Sequence, residues 1–357
     1  MRILLLALMG KNSGGNIYGG AEKSITNLAN WLAENTENEI MLASIEGNAK
    51  PFPISTNVKY KGYEFVHKNK VQIHYQVYKN TKEILEEYKP DIVISFWIHP
   101  LFYLCLTGKK YKFFYSERND PRMEYGLVAR IMRSFILRRA QGIVFQTREA
   151  MVYFSEKIQK KSRVIHNPVY LDTEDYPINP KRNKRIVSVG RLNEQKNYKL
   201  LIEAFSRIQD ELPGWTLEIY GEGILREQLT DLIISYSLEN KVFLKGTYRD
   251  ILDKIYGAGM FIMTSYYEGM PNALMEAMCL GIPVICSDCP CGGPRELIDN
   301  GVNGFLFKNN DIDDLLNAIR KCISNEKIDQ MIANEKKICI SHSQNQIFKQ
   351  WYEFFNS

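Results

Sequence analysis

Short apolar runs alternate with stretches of helical period along the whole chain. Arg2–Met9, Ile92–Trp97, Lys112–Tyr115, Gly142–Gln146, Arg185–Gly190, Gly259–Thr264 and Val284–Cys286 are rich in Ile, Val, Leu, Met and Phe with few polar interruptions. Such runs fit strands covered on both faces in a parallel sheet. Glu39–Ile45, Val58–Tyr63, Arg163–His166, Trp215–Tyr220, Val242–Lys245 and Asn303–Phe307 read as further strands. Between them Ala21–Glu34 sets Ile25, Leu28, Ala29 and Leu32 on one side of a helix, and Tyr198–Arg207, Leu225–Tyr236, Asp311–Ser324 and Asn325–Ile340 are predicted helices. Tyr88–Lys89–Pro90–Asp91 ends another. Ile347–Phe355 carries Phe348, Trp351, Tyr352 and Phe355 at helical spacing, a stripe suited to a core. Strand–helix alternation in both halves predicts two α/β domains facing a central cleft. Tyr170–Lys184, with Pro177, Pro180 and few apolar residues, is the linker.

The length of 357 residues agrees with two cores rather than one. A hydrophobic share of 45% with 24% charged residues is that of a soluble globular protein, and no run approaches 18 uncharged apolar residues. Met1–Leu6 reads as a strand entering a Gly-rich loop, without the longer apolar core of a signal peptide, so a cytoplasmic location is expected. Seven scattered cysteines argue against a disulfide framework. Cys286, Cys289 and Cys291 cluster without a fourth metal ligand and are expected to line a loop. Charge is uneven: residues 1–170 hold 25 Lys and Arg against 15 Asp and Glu, the remainder 21 against 26. The helix Met123–Gln141 sets Arg130, Arg133, Arg138 and Arg139 beside Ile131, Met132, Phe135, Ile136 and Leu137. That pattern suits either an anionic membrane surface or a core-packed helix with a solvated basic edge.

Candidate chemistry concentrates in Glu268–Ile285, where Glu268 and Glu276 stand eight positions apart and Gly269, Met270, Pro271, Asn272 and Ala273 lead into a helix that Gly281 and Pro283 stop. A loop at the carboxyl end of a strand, followed by helix N–H groups, is an anion site. Carboxylates beside it accept hydrogen bonds from hydroxyls. Phosphate plus hydroxyls describes a nucleotide sugar. Gly190, at the end of a strand, precedes Arg191 and Lys196, two cations able to clamp a diphosphate. The G-x-G-x-x-G spacing of a dinucleotide-binding turn is absent from the first loop, Gly10–Gly20. His99 follows a strand's carboxyl end, where it serves either as a ligand contact or as a loop histidine.

The Glu268–Gly281 stretch resembles the EX7E motif of retaining glycosyltransferases of the GT-B fold, in particular family 4. Gly19–Gly20–Ala21–Glu22 resembles that family's GGxE turn at the donor phosphate, Asn167–Pro168–Val169 its N-P-V turn at the crossover, and Gly190–Asn197 its G-R-L…K-N element. Gly221–Glu222 ends a strand, and Gly246–Thr247–Tyr248 falls where the family frames the nucleotide base. Many members have a histidine near Ser116–Asp120; here Glu117 and Arg118 stand in its place, and the run is similar to bacterial enzymes that extend lipid-linked or surface polysaccharides. The resemblance covers most of the chain and implies two Rossmann-like domains, 1–168 on the acceptor side and 169–340 for the donor. It also implies a last helix, 341–357, that crosses back to the first.

The implied activity is transfer of a hexose or N-acetylhexosamine from a UDP-sugar, with retention, to a lipid-diphosphate-linked saccharide. Glu268, Arg191 and Lys196 would be catalytic. Gly19, Gly20, Gly190, Gly221, Glu222, Tyr248, Gly269–Ala273 and Glu276 would bind the donor, with Glu276 on the ribose. His99, Glu117 and Arg118 would contact acceptor or sugar. No D-x-D pair flanks a phosphate site, so neither a metal nor another cofactor is expected, and no nucleic-acid partner. The expected place of work is the cytoplasmic face of the membrane. A sugar-nucleotide epimerase, a phosphorylase or a non-catalytic sugar-binding protein are the alternatives.

Overall fold

A computed structural model describes residues 1–9, 19–50, 52–64, 69–118, 120–122, 126–171, 175–177 and 181–357. Residues 10–18, Asn119, the first residues of the helix expected over Met123–Gln141, and 172–174 and 178–180 of the expected linker, with Pro180, lie outside them. The chain divides into two compact units, Met1–Pro168 with Asn345–Ser357, and Val169–Gln344.

Unit 1 alternates β1 (Arg2–Ala7), α1 (Gly20–Asn35), β2 (Glu39–Ser44), β3 (Val58–Gly62), α2 (Lys70–Tyr88), β4 (Ile92–Ser95), α3 (Ile98–Leu106), β5 (Lys112–Glu117), α4 (Leu127–Arg139), β6 (Gly142–Phe145), the short α5 (Arg148–Val152) and α6 (Glu156–Gln159), and β7 (Ser162–Val164). All strands are parallel, in the order β3-β2-β1-β4-β5-β6-β7. The apolar runs sit at the centre: Ile3–Ala7, Ile92–Ile94 and Ile143–Phe145 are buried, because helices cover both faces of a parallel sheet.

Unit 2 repeats the plan with β8 (Asn183–Val189), α7 (Tyr198–Ile208), β9 (Thr216–Tyr220), α8 (Arg226–Ser235), β10 (Val242–Gly246), α9 (Ile251–Ile255), β11 (Ala258–Met263), α10 (Asn272–Cys279), β12 (Val284–Asp288), α11 (Gly293–Leu297), β13 (Phe305–Lys308), α12 (Ile312–Ile323), α13 (Ile328–Glu335) and α14 (Ile338–Ser341). Its six strands are parallel, in the order β10-β9-β8-β11-β12-β13. In such doubly wound sheets the order reverses beside the first strand, and ligands bind at the carboxyl ends there. The reversal falls between β1 and β4 in unit 1, and between β8 and β11 in unit 2.

The last helix, α15 (Gln344–Asn356), belongs to unit 1 from Asn345 onward. Phe348, Trp351 and Phe355 of its aromatic stripe are buried there and Tyr352 is half-buried: Trp351 lies 5.5 Å from Phe96, Phe355 6.1 Å from Phe114 and Phe348 6.2 Å from Trp31.

Three expectations are corrected. Asn325–Ile340 is two helices, α13 and α14, joined by a turn at Lys336–Lys337. Cys279 and Cys339 are bonded as a disulfide with Cα atoms 5.6 Å apart, a pairing that spans 60 residues and has no local spacing to reveal it. Cys286 lies in β12 rather than on a loop, whereas Cys289 and Cys291 line the loop after it, and all three are buried. Among the described residues no helix is long and apolar enough to cross a membrane, and no cluster of His, Cys, Asp and Glu could hold a metal ion.

Candidate functional site

The carboxyl ends of β8 and β11 bring together residues 72 positions apart. Past β8, Gly190 and Leu192 lead into a single 3-10 turn, Glu194–Lys196, and Asn197 adopts a left-handed conformation before α7 begins. Past β11, Thr264–Pro271 forms the loop that ends at α10. Lys196 Nζ meets Glu268 Oε1 at 2.5 Å, and the Ser265 hydroxyl donates to the same oxygen at 2.8 Å. Glu268 is only 7% exposed. Taking either partner from so enclosed a pair leaves a charge uncompensated.

The surrounding loops are stitched to one another. Tyr266 N donates to Gln195 O (2.8 Å), Gln195 Nε2 to Tyr267 O (3.0 Å), and the Thr264 hydroxyl to the carbonyls of Lys196 and Asn197 (both 3.0 Å). Ser287 Oγ donates to Ser265 O, and Asn309 Nδ2 to Tyr266 O. Sequence reasoning missed these braces. The available signal is weak: small polar residues directly after, or inside, fully apolar strands.

Glycine sets how close the backbones come. At Gly221, with φ +145°, a Cβ would lie 1.9 Å from Gly190 O. At Gly293 it would lie 1.6 Å from Gly269 O. Only a residue without Cβ permits such approaches. The predicted Gly221, with Gly293, thus lets the strand-end loops pack on the carbonyls of Gly190 and Gly269, and at Gly190 a Cβ would lie 2.9 Å from the Lys196 side chain. Gly221 N donates to Gly246 O (2.8 Å), adding the end of β10 to the same network.

Asn272–Cys279 forms α10 with Pro271 at its N-cap, so Pro271 stands one position before the first helical residue, and Met270 is buried beneath it. The first turn of the helix aims N–H groups and partial positive charge back toward the loop. Asn272, Ala273 and Glu276 are half-buried, and Glu276 lies one turn in. Arg191 is exposed at the rim. Glu222 is engaged by Arg226, which donates from Nε and Nη2 at 2.8 and 2.7 Å and draws the carboxyl below its ordinary pKa. Tyr248 stacks edge-on against Tyr220 at 5.8 Å. Burial, and then the Glu268 charge, push the Cys289 thiol up to about 12, so it stays protonated and unreactive. Asp311–Ile312–Asp313, a D-x-D spacing, is used to cap α12: Asp311 accepts from Asp314 N at 3.1 Å.

The unit 1 candidates are dispersed. Gly19 is the N-cap of α1 and Gly20 its first residue, and Glu22 folds back to accept from Gly19 N at 3.0 Å. His99 is not on a loop but in the first turn of α3. Glu117 is 2% exposed, with Arg133 Nη1 at 3.5 Å from Oε2. This position serves the interior, and it turns Arg133 away from the basic edge on which its spacing had placed it. Arg118 Nη2 donates to Asn167 Oδ1 at 2.6 Å and lies over the Phe96 ring at 4.5 Å.

Two family models match the chain, Glycosyltransferase Family 4 over residues 18–173 and Glycosyl transferases group 1 over 173–338. An uncharacterized glycosyltransferase of Methanocaldococcus jannaschii, MJ1059, is 30% identical over 65% of this chain and 64% of its own length. The N-acetylgalactosamine-N,N'-diacetylbacillosaminyl-diphospho-undecaprenol 4-alpha-N-acetylgalactosaminyltransferase of Campylobacter jejuni is 27% identical over 65% of this chain and 66% of its own. The matched region thus spans slightly less than two thirds of each relative. Among solved structures, HepE of Anabaena with UDP and glucose shares the fold at a TM-score of 0.79 and 21% identity, over 100% of this chain and 99% of that one.

Proposed function

Because the chain belongs to the family-4 glycosyltransferases of GT-B fold, we propose that it is a retaining transferase of polysaccharide biosynthesis, moving a hexose or N-acetylhexosamine from a UDP-sugar to a lipid-linked saccharide. The observation that carries this reading is the Lys196–Glu268 pair, enclosed at the switch point of the unit 2 sheet beside the first turn of α10. A positive point charge, a guanidinium at the rim and helix N–H groups are what a departing diphosphate requires, since preorganised donors stabilise developing charge without reorganising. An ammonium has three donors, so Lys196 can keep Glu268 and still reach a phosphate oxygen. The relative named for a diphospho-undecaprenol acceptor and the fold neighbour holding UDP and glucose support the choice of substrates.

In the proposed reaction the acceptor hydroxyl oxygen bonds to the anomeric carbon as the bond to the UDP oxygen breaks on the same face. The electron pair passes to the diphosphate and the hydroxyl proton to a phosphate oxygen. Arg191 and Lys196 hold the diphosphate, Glu276 the ribose hydroxyls, and Glu268 a hydroxyl of the transferred sugar. No residue is assigned as a covalent nucleophile. Screening UDP-sugars with membrane-extracted lipid acceptors, with product analysis by mass spectrometry, tests the reading. Transfer is expected to persist after exhaustive chelation, because fixed cations do the work of a metal. Hydrolysis or epimerisation without an acceptor, or activity restored only by manganese, would overturn it.

A further inference from the structure

The carboxyl edge of the unit 1 sheet has a groove that the donor site does not use. Helices α2, α3 and α4 follow β3, β4 and β5 in sequence, so their first turns gather at that edge, where α/β folds bind ligands. The groove measures about 670 Å³ and is lined from those turns: His74 on α2, His99 and Phe102 on α3, and Leu127, Val128 and Met132 on α4. One wall carries the imidazoles. His74 Nδ1 is hydrogen-bonded to the Tyr103 hydroxyl, and burial together with the His74 charge lowers the His99 pKa. The other wall is aliphatic.

Its mouth is apolar yet open. Leu127 is 76% exposed, Val128 71% and Ile131 62%, all within the first turn and a half of α4. Val71 and Tyr75 on α2 are exposed as well. An apolar patch of this kind, around a concavity, marks a binding surface rather than ordinary exterior. The same helix offers exposed cations in Arg130, Arg138 and Arg139. Arg139 lies 3.8 Å over the Phe135 ring, which packs edge-on against Phe102 of the groove wall. An aliphatic trough with Arg130 among its exposed rim residues, and Arg138 and Arg139 farther along the same helix, is complementary to a molecule with a hydrocarbon tail and an anionic head.

We infer that this groove holds the isoprenyl chain of a lipid-diphosphate-linked acceptor, with the α4 arginines toward its diphosphate; the inference rests on the lipid-linked acceptor proposed above. The test uses the full chain with a C15 isoprenyl diphosphate, inorganic diphosphate as the head-group control, and neutral and anionic vesicles. Wild type should bind the isoprenyl diphosphate well above inorganic diphosphate. Met132→Trp, which fills the trough, and Val128→Asp, which charges its open rim, should each weaken that binding about tenfold, with UDP affinity unchanged as the check on folding. Should Met132→Trp disturb the fold, the exposed Val128→Asp decides alone. If wild type binds the chain and the variants bind it equally, the groove is not its site, while the lipid-linked acceptor stands. If Val128→Asp loses only anionic vesicles, the patch meets the bilayer and not a chain, and the inference fails. If wild type binds no isoprenyl diphosphate and glycosylates water-soluble saccharides as well as lipid-linked ones, both readings fall.

Discussion

The two sheets share one strand order, yet their carboxyl edges are built in opposite ways. In unit 2 the loops after β8, β9, β11 and β12 are locked by backbone approaches that only glycine allows, by a chain of hydrogen bonds and by an enclosed ion pair. In unit 1 the helix starts around β4 and β5 leave a trough with bare aliphatic rims and a glycine, Gly126, with open space where a Cβ would go. A polar, invariant ligand is best met by fixed donors and acceptors, since misplacement of a charge or hydrogen bond is costly. A greasy, variable one is met by area and tolerates imprecision. The contrast fits the proposal that the nucleotide sugar binds at the first edge and the acceptor at the second.

The largest expected effect breaks the contrast at its glycines. Gly221→Ala must push a methyl group into Gly190 O and should cost about 3–5 kcal/mol, while Gly126→Ala in unit 1 should stay within about 0.5 kcal/mol. Denaturant titration of both variants checks this, and equal tolerance would remove the rigidity argument.

Next come the glutamates, which sharpen the role of the unit 2 edge. Glu268→Ala should lower kcat by roughly a hundredfold or more, as losses at a developing charge do, with UDP affinity unchanged or raised because Lys196 is released from its partner. Glu276→Ala should instead raise the donor KM by about one to two orders of magnitude, since a hydrogen bond equal in ground and transition states affects binding alone. Calorimetry with UDP beside steady-state kinetics separates them; a UDP defect confined to Glu268→Ala would reverse the assignment.

The smallest effect lies behind the site. Glu335 is fully buried against β12, accepts from Val284 N at 3.3 Å through one oxygen, and has no hydrogen-bond partner for the other among the described residues. Burial raises its pKa well above the ordinary carboxyl value. The native state therefore holds a proton that the unfolded chain releases above about pH 4.5, so the stability contributed by this group is full below that pH and declines as pH rises toward its native pKa. Glu335→Gln keeps the acceptor and cannot ionise. Its melting temperature should exceed that of wild type by a margin that grows from pH 5 to pH 8 and vanishes near pH 4.

Most of the fold could be read from the chain because strands covered on both faces write themselves as unbroken apolar runs, as at Arg2–Ala7 and Ala258–Met263. Helix α3 was hidden for the same reason: its residues continue the apolar run of β4, so no change of period marks the boundary. Glu268, Arg191 and Lys196 stood out through their places past strand ends and Glu276 through its spacing of eight from Glu268, but the direct pairing of Lys196 with Glu268 spans 72 residues and has no signature in either segment. Arg133 shows the limit of counting charges on a helix. It belongs to the basic pattern by spacing, yet a buried carboxylate one strand away draws it inward.

The place of α15 has a consequence for how the chain is made. Trp351 and Phe355 are buried in unit 1, although the whole of Val169–Gln344 separates them from Pro168. At roughly 5–20 residues per second a ribosome takes about 10–35 s to cross that interval. Through this time Phe96 and Phe114 lack the aromatic partners that cover them in the finished protein. Unit 2, later in sequence, can close its own core before unit 1 has received its last piece. The nascent first half is thus the part that a chaperone would have reason to hold.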